Sequence, residues 1–257
     1  MQGAITSYID VAQVTLYAFW VFFAGLILYL RREDKREGYP LESDRSGSIR
    51  VQGFPPIPDA KEFILTHGGT QIAPRTEAPE AAPKATPVGA WLGAPLEPTG
   101  NPMLDGVGPA AYAMRATVPD LTAEGDLKIV PLRAAPGFFL EPRDPDPRGM
   151  EVIGADRGVG GIVVDVWVDR SEIVIRYLEV EVTTVTGPRR VLLPMNFARV
   201  DGRRGVVRVQ SILSNQFADV PALSNPDHVT FREEDRITAY YGGGQLYATP
   251  SRAEPLL

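Results

Sequence analysis

The sequence contains no cysteine and only two histidines, His67 and His228. Without cysteine there is no disulfide, no thiolate metal site and no cysteine nucleophile. Two histidines far apart in the chain do not predict a histidine-rich metal site, and neither has an obvious role. Basic residues are also fewer than acidic ones, 26 against 32, with a net charge of -6. Because phosphate binding requires a basic face, nucleic acid is not expected as a partner.

The short motifs of common enzyme classes are absent as well. There is no GxSxG, Walker loop, HExxH or CxxC, and no nucleophile–base set that would suit a hydrolase. The glycine run at residues 242–244 follows a predicted helix, whereas a phosphate loop precedes one, so we expect this run to end the helix. We predict no catalytic, cofactor-binding or metal-ligating residues, and no enzyme activity of the chain's own.

One long apolar run lies near the N-terminus. Residues 11–30 contain no charged side chain, and twenty residues make a helix of about 30 Å, the thickness of a bilayer core. A signal peptide needs basic residues before the run and a cleavage site after it. Here no Lys or Arg precedes the run, and RREDKR follows it. We predict an uncleaved transmembrane helix over residues 11–35, after a tail of residues 1–10.

Charge at the two ends of this helix predicts its orientation. Four basic residues follow it, while Asp10 is the only charged residue before it. The positive-inside rule then places the N-terminus in the periplasm and the C-terminal bulk in the cytoplasm. The residues at the cytoplasmic end either bind anionic lipid head groups or act only as topology signals; they are Arg31, Arg32, Lys35, Arg36 and Tyr39.

Residues 36–110 are rich in proline, glycine and alanine, which predicts little regular structure. Composition alone would suggest disorder. Large apolar residues are nevertheless scattered through the segment, and they favour an extended surface segment laid over a partner. These residues are Phe54, Ile57, Phe63, Ile64, Leu65, Trp91 and Leu92.

Residues 111–257 form the predicted cytoplasmic domain. From about residue 130 apolar and polar residues alternate, as in GGIVVDVWVD and IVIRYLEVEV. Such alternation between turn residues indicates half-buried antiparallel strands, and several in succession suggest a small β-barrel or sandwich. Thr230 and Glu233 form a possible capping box for a short C-terminal helix. The predicted fold class is one transmembrane α-helix plus a mainly β domain.

Arg176 has the parity of Val174, Leu178 and Val180, the apolar face of its predicted strand. A buried guanidinium group requires carboxylate partners, and Asp169 and Glu172 lie just upstream. Two interpretations remain open. The cluster is either a structural salt bridge or a proton relay of carboxylates with raised, coupled pKa values.

Several segments, in this order, resemble the H subunit of purple-bacterial photosynthetic reaction centres. They are YAFWVFFAGLILYL in the apolar run, REGYPLE at 36–42, EPTGNPMLDGVGPAAY at 97–112, VVDVWVDR at 163–170, RYLEVEV at 176–182, LLPM at 192–195 and REEDRITAYYGGGQLYA at 232–248. The resemblance covers most of the chain.

The resemblance implies a single-pass protein of the bacterial inner (intracytoplasmic, or chromatophore) membrane with a PRC-barrel-like domain. Such a subunit binds no pigment; it caps the L and M subunits and shields the secondary quinone. The partner subunits would hold bacteriochlorophyll, bacteriopheophytin, quinones, non-haem iron and carotenoid. Membrane lipids, a cytochrome subunit and a light-harvesting complex are further expected partners. The alternative is a membrane-tethered β-barrel adaptor with no role in proton transfer.

The resemblance also assigns proton transfer to particular residues. Asp169, Glu172 and Arg176 match a region through which protons reach the quinone. The family's proton-collecting site lies in the segment matching PDLTAEGDLKI, and there Asp120 aligns with an acid. Glu124 and Asp126 stand where the family's best-known members have two histidines. Imidazole binds zinc and cadmium better than carboxylate does. We therefore predict that these metals inhibit proton uptake less strongly here than in members that carry the histidine pair.

Overall fold

The computed structural model describes residues 10–42, 50–65, 69–74, 81–91 and 93–253. Contacts divide the chain into two units, residues 1–80 with 91–93, and residues 81–90 with 94–257. The predicted tail, apart from Asp10, lies outside the described residues, as do His67 and Leu92.

The first unit begins with helix α1 (Val11–Glu33), which continues as a 3-10 helix, Asp34–Arg36. Asp10 caps its N-terminus by accepting a 2.7 Å hydrogen bond from the Gln13 amide. None of its side chains is buried within the chain, and it is long and apolar enough to cross a membrane. The predicted N-terminal apolar helix is therefore present.

Short hairpins follow in the segment that the sequence predicts to have little regular structure. Each strand has two to four residues, so most of what the structure describes between residues 36 and 110 is irregular, as the proline content predicts. The first unit contains β1 (Leu41–Glu42) antiparallel to β2 (Arg50–Val51), and β3 (Lys61–Ile64) antiparallel to β4 (Thr70–Ala73). The second unit begins with β5 (Ala85–Pro87) antiparallel to β6 (Leu96–Pro98).

The rest of the second unit is a mainly β domain with a helix at its C-terminal end. Its elements are α2 (Pro102–Asp105), β7 (Ile129–Pro131), β8 (Glu151–Ile153), β9 (Val159–Asp169), β10 (Val174–Thr184), β11 (Gly187–Pro194), β12 (Ala198–Asp201), β13 (Val206–Val209) and α3 (Phe231–Tyr247). Further 3-10 helices occupy Gly108–Ala110, Leu132–Ala134, Met195–Phe197, Ser214–Asp219 and Pro250–Arg252.

Seven of these strands form one sheet in the order β11-β10-β9-β8-β13-β12, with β7 paired to β9. All of its pairs are antiparallel except β8 with β13. The two longest strands, β9 and β10, begin and end within a residue or two of the alternating segments in the sequence. The predicted mainly β domain and short C-terminal helix are confirmed.

The core lies between the sheet and α3. Its fully buried side chains include Val166, Trp167, Leu178, Leu192, Val207, Ile237 and Tyr241. Thr230 and Glu233 form the predicted capping box at the start of α3. Each large apolar side chain stabilises the fold by about 2 kcal/mol when it is buried, so this cluster is the main source of the domain's stability.

The prediction that the glycine run ends the C-terminal helix is wrong. Helix α3 continues through Gly243 and Gly244 to Tyr247. A Cβ atom on Gly243 would lie 2.6 Å from the Ala110 Cβ, and one on Gly244 would lie 2.5 Å from the Ser211 carbonyl oxygen. These glycines therefore allow the helix to pack closely against neighbouring backbone.

The predicted burial of Arg176 is also wrong. The pairing of β10 with β9 shifts between Ile175 and Tyr177, so Arg176 lies at a β-bulge. A bulge breaks the alternation of side chains along a strand. The Arg176 side chain is exposed, and the next residue, Tyr177, is buried instead.

Candidate functional site

The turn between β9 and β10 is organised by the Asp169 carboxylate. Its Oδ1 accepts hydrogen bonds from the amides of Ser171 and Glu172, each 3.0 Å long. Its backbone oxygen accepts a 2.9 Å bond from the Ile173 amide. Ile173 has φ 55°, a left-handed conformation that is strained for a β-branched residue. Asp169 is 0% exposed, whereas the Glu172 side chain is exposed.

Lys128 connects this turn to a second carboxylate. Its Nζ lies 3.2 Å from Asp120 Oδ2 and 3.9 Å from Asp169 Oδ2. Strand β7, which follows Lys128 directly, pairs Ile129 with Asp169 and so fixes this arrangement. The Asp120 hydrogen bond, with the charges of Asp169 and Glu172, raises the pKa of Lys128 although burial opposes ionisation. Lys128 therefore remains protonated and places a positive charge between the two carboxylates.

The segment between Asp120 and Lys128 folds back on itself. The Thr122 amide donates a 2.8 Å hydrogen bond to the Asp126 carbonyl, and the Lys128 amide donates one of 3.0 Å to the Asp120 carbonyl. Glu124 and Asp126 are exposed at its tip. The neighbouring Thr122 side chain lowers the pKa of Glu124.

Arg170 ties the tip of this loop to the β9–β10 turn. Its guanidinium group lies 3.4 Å from Asp126 Oδ2, and it donates a 3.1 Å hydrogen bond to the Leu127 carbonyl. Its amide donates a 2.8 Å bond to the Lys128 carbonyl. The structure thus brings the predicted acids Asp120 and Asp169 together.

Arg176 is not part of that arrangement in the way the sequence suggests. Its guanidinium group lies 3.7 Å from the Glu234 carboxylate of α3, and within the described residues no ion pair joins it to Asp169 or Glu172. Glu234 also accepts a 2.7 Å hydrogen bond from the Tyr177 hydroxyl. The predicted pairing was wrong because the bulge turns Arg176 toward α3.

Sequence reasoning missed Lys128, Tyr177 and Glu234 as members of the site. Lys128 had a local signal, since it is the charged residue that joins the loop to β7. Glu234 had a weaker one, an acid in the first turn of a helix. Tyr177 had none, because its contact with Glu234 spans 57 residues of sequence.

A separate network of buried charges was also missed. Arg133 lies 2.9 Å from Asp165 Oδ2 and 2.6 Å from Glu179 Oε2. Glu179 also accepts a 3.1 Å hydrogen bond from the Trp167 indole and lies 3.2 Å from Arg190. These carboxylates are held in direct ion pairs, which suits a structural role.

In the first unit, Lys35 lies at the end of α1 and is 2% exposed. Its Nζ donates to the carbonyls of Gln52 and Pro55, at 2.5 and 2.6 Å. The same ammonium group lies 5.0 Å from the centre of the Tyr39 ring. Lys35 therefore joins the helix end to the segment after β2.

Arg36 makes a second connection of this kind. It pairs with Glu33 through bonds of 3.0 and 2.9 Å, and it donates to the carbonyls of Asp59 and Ala73 at 2.8 Å each. Arg31 is exposed and donates a 3.4 Å bond to the Tyr39 hydroxyl; Arg32 is exposed as well. Lipid binding at this end of the helix stays a prediction.

The second unit holds two carboxylates, Asp120 and Asp169, on either side of Lys128. Among the described ranges, no group of three or more His, Asp or Glu side chains is arranged to hold a metal ion. Carboxylates in contact with a lysine, one of them fully buried, can accept and release protons.

Comparison with protein families agrees with the arrangement of these elements. A family model described as the photosynthetic reaction centre H-chain N-terminal region matches residues 3–134, more than half of the 257-residue chain. A second model, described as the PRC-barrel domain, matches residues 141–215 and covers β8 to β13. The apolar helix, the loop of Asp120 and the β domain thus fall within the matched regions, and the chain belongs to the photosynthetic reaction centre H-chain family.

Proposed function

We propose that this chain caps the L and M subunits of a reaction centre on the cytoplasmic side, shields the secondary quinone and conducts protons to it. As an H chain it is a structural subunit and not a classical enzyme. In this proposal α1 spans the bacterial inner membrane with its N-terminus in the periplasm, because the basic residues follow the span. Pigments, quinones and iron would lie on the partner subunits.

Exposed apolar side chains near the β9–β10 turn support the capping role. Ile173 is 77% exposed and Val174 is 47% exposed, and both follow the turn that Asp169 holds. Apolar residues grouped on a surface indicate a contact with another protein or with membrane. A partner subunit over this turn would enclose Asp169 and Glu172 beside the quinone pocket.

The observation that carries the proton-conducting role is the buried Asp169 carboxylate joined through Lys128 to Asp120. Reduction of a quinone to a quinol takes two electrons and two protons. The protons must cross protein that excludes bulk water, and a series of titratable groups is the physical means of doing so. Lys128 offsets the negative charge that each acid acquires when it releases its proton.

The exposed end of this path is the loop that carries Glu124 and Asp126. In the proposal these side chains collect protons from water, and Asp120 receives them. Asp169 and Glu172 then pass them toward the quinone. Arg176 has no ion pair with this series and would act on it through Glu234.

Substitution of Asp169 and Glu172 tests the path. We expect Asp169→Asn and Glu172→Gln each to slow proton-coupled electron transfer to the secondary quinone by about tenfold or more, because neither amide can carry a proton. Flash spectroscopy on the purified complex measures this rate. Glu151→Gln is the matched control, since Glu151 is exposed and pairs with Ile162 near the far end of β9. An unchanged rate in both test variants would reduce these residues to structural roles.

Metal inhibition tests the exposed end. Zinc and cadmium should inhibit the native complex weakly, because carboxylates are poorer ligands than imidazole for these metals. The double variant Glu124→His, Asp126→His should become markedly more sensitive in the same flash assay. Strong zinc inhibition of the native protein at the second proton uptake would contradict the proposal.

The lipid-binding proposal concerns the cytoplasmic end of α1. Basic and aromatic residues there suit anionic head groups; they are Arg31, Arg32, Lys35, Arg36 and Tyr39. Of these, the exposed Arg31 and Arg32 have the charges that a lipid could reach.

Purification from native membranes tests the assembly itself. Bacteriochlorophyll bands in the near-infrared spectrum should accompany the chain, and the same sample would reveal a cytochrome subunit or a light-harvesting complex. A chain that purifies without pigment-bearing partners would favour the membrane-tethered adaptor.

A further inference from the structure

A further carboxylate, Glu234, lies largely shielded from solvent between α3 and the bulge of β10. The Tyr177 hydroxyl donates a 2.7 Å hydrogen bond to Glu234 Oε2, and the Arg176 guanidinium group lies 3.7 Å from the same oxygen. The Glu234 side chain is only 12% exposed, and Tyr177 is 4% exposed. Neither Glu234 nor Tyr177 belongs to the predicted path.

The bulge makes this arrangement possible. Consecutive residues of a regular strand point to opposite faces of the sheet. Arg176 and Tyr177 are consecutive, yet both reach the same carboxylate, because the register with β9 shifts between Ile175 and Tyr177. Bulges of this kind re-aim side chains next to functional sites.

We propose that Glu234 is a further proton-carrying residue of the reaction centre, that Tyr177 positions its carboxyl group, and that Glu234 exchanges protons with Asp120. This inference rests on the proposed proton-conducting function. The transfer moves one proton and no electrons: an O–H bond at Glu234 breaks as one forms at the Asp120 carboxylate, and water then reprotonates Glu234.

The contacts of Glu234 allow both of its protonation states. When the carboxyl group is protonated on Oε1, the Tyr177 hydroxyl can still donate to Oε2. Arg176 lies at 3.7 Å, beyond a normal hydrogen bond, so neutralising Glu234 breaks no close ion pair. This differs from Glu179, which Arg133 holds at 2.6 Å.

Charged and polar groups from each neighbouring element affect the pKa of Glu234. Burial of the carboxyl group raises its pKa, and Asp120 raises it further; the Tyr177 hydrogen bond and the charges of Arg176 and Arg115 lower it. The net direction is upward, toward neutral pH. On its own helix, Asp235 is occupied by Arg115 at 3.6 Å and by the Ala113 amide.

The segment of Asp120 runs beside the start of α3, because Pro119 pairs with Thr230 across an antiparallel bridge. Asp120 follows Pro119 directly, so this bridge brings Asp120 to the start of α3, where it also contacts Lys128. Glu234 would therefore supply the Asp120–Lys128–Asp169 series from the side of α3.

Three variants of the assembled reaction centre test the inference: Tyr177→Phe, Glu234→Gln and the control Glu181→Gln, an exposed acid on the same strand. Infrared difference spectra across a pH series report protonated carboxyl groups during quinone reduction. Glu234→Gln should remove one carboxyl band and slow proton uptake about threefold or more. Tyr177→Phe should keep the band and move its midpoint upward by about one pH unit, because the lost hydrogen bond had stabilised the anion.

The near-infrared spectrum of each variant reports whether the complex has assembled. If Glu234→Gln fails to assemble, Tyr177→Phe decides the question, because it keeps the carboxyl group. The inference is overturned if the midpoint and the uptake rate in Tyr177→Phe equal those of Glu181→Gln. If Asp169→Asn has no effect while Tyr177→Phe moves the midpoint and Glu234→Gln slows uptake, the path through Asp169 fails and Glu234 stands.

Discussion

The buried carboxylates of the β domain are held in two different ways. Asp165 and Glu179 form ion pairs with Arg133 at 2.9 and 2.6 Å. Asp169 has its Oδ1 in backbone hydrogen bonds and its Oδ2 3.9 Å from Lys128. Loss of a close ion pair would leave the guanidinium group without its partner, whereas the Asp169 contact with Lys128 is looser. The looser contact fits the proton-transfer role proposed for Asp169.

Removal of Arg133, which makes the close ion pairs, should therefore lower stability more than removal of a residue of the proposed proton path. We expect Arg133→Gln to lower the free energy of unfolding by about 2 kcal/mol. The value is below the range for a fully buried pair because the arginine is partly exposed. Chemical denaturation of the purified chain in detergent measures the change. Arg190→Gln should cost less, since Arg190 is more exposed and Glu179 keeps Arg133. Equal losses in the two variants would show that Arg133 is not the main partner.

Among the elements, α3 depends most on close packing of its backbone. Its glycine run would weaken an isolated helix by about 1 kcal/mol per residue relative to alanine. The run is tolerated here because Gly243 meets the 3-10 helix at Ala110 and Gly244 meets the backbone of Ser211. The sequence shows the low helix propensity of glycine but not this tertiary contact. The predicted helix end was wrong for that reason.

Substitution of the glycines one at a time separates the two effects. Gly243→Ala should lower the free energy of unfolding by about 1–3 kcal/mol, because its Cβ would overlap the Ala110 Cβ at 2.6 Å. Gly242→Ala is the matched control. Its Cβ would meet only the Pro109 carbonyl oxygen, at 3.3 Å, and alanine favours the helix, so we expect little change. Thermal unfolding of both variants measures the difference, and a larger loss for Gly242→Ala would refute the packing argument.

Strand β10 shows what periodicity can and cannot predict. Alternation located the strand, and the structure has it at Val174–Thr184. Its pairing with β9 shifts register twice, between Ile175 and Tyr177 and between Glu179 and Val180. Each shift changes which face of the sheet the following side chains point to. Ile173 falls outside the strand, in a left-handed turn conformation. The pattern has no signal for a bulge, so Arg176 was assigned to the wrong face.

For the whole molecule, the fold class and the family could be predicted from the sequence, but much of the site could not. The apolar run, the alternating strands and the capping box are local patterns, and each appears where the sequence predicts it. The contacts of Lys128 with Asp169 and of Tyr177 with Glu234 join residues distant in the chain. Only the sheet register and the packing of α3 determine them.

Two neighbouring acids on α3 should give the domain opposite responses to pH. Burial opposes ionisation of Glu233, but its carboxylate accepts four hydrogen bonds, from the amide and hydroxyl groups of Thr230 and Ser224. These bonds lower its pKa below the ordinary value of 4.5. Burial raises the pKa of Glu234 above the same value. A group with a lowered folded-state pKa stabilises the fold above its unfolded pKa, and this stabilisation disappears as pH falls.

Glu233→Gln should therefore lower stability at neutral pH and flatten the loss of stability in acid. Glu234→Gln should do the reverse: it should raise stability at neutral pH, because ionised Glu234 costs folding free energy once pH rises above about 4.5. Denaturant midpoints measured from acid to neutral pH in detergent give both curves. The two substitutions remove the same charge from adjacent residues, so a difference of sign can come only from the environments of the two carboxyl groups. Curves that move in the same direction would contradict the assigned hydrogen bonds of Glu233 or the burial of Glu234.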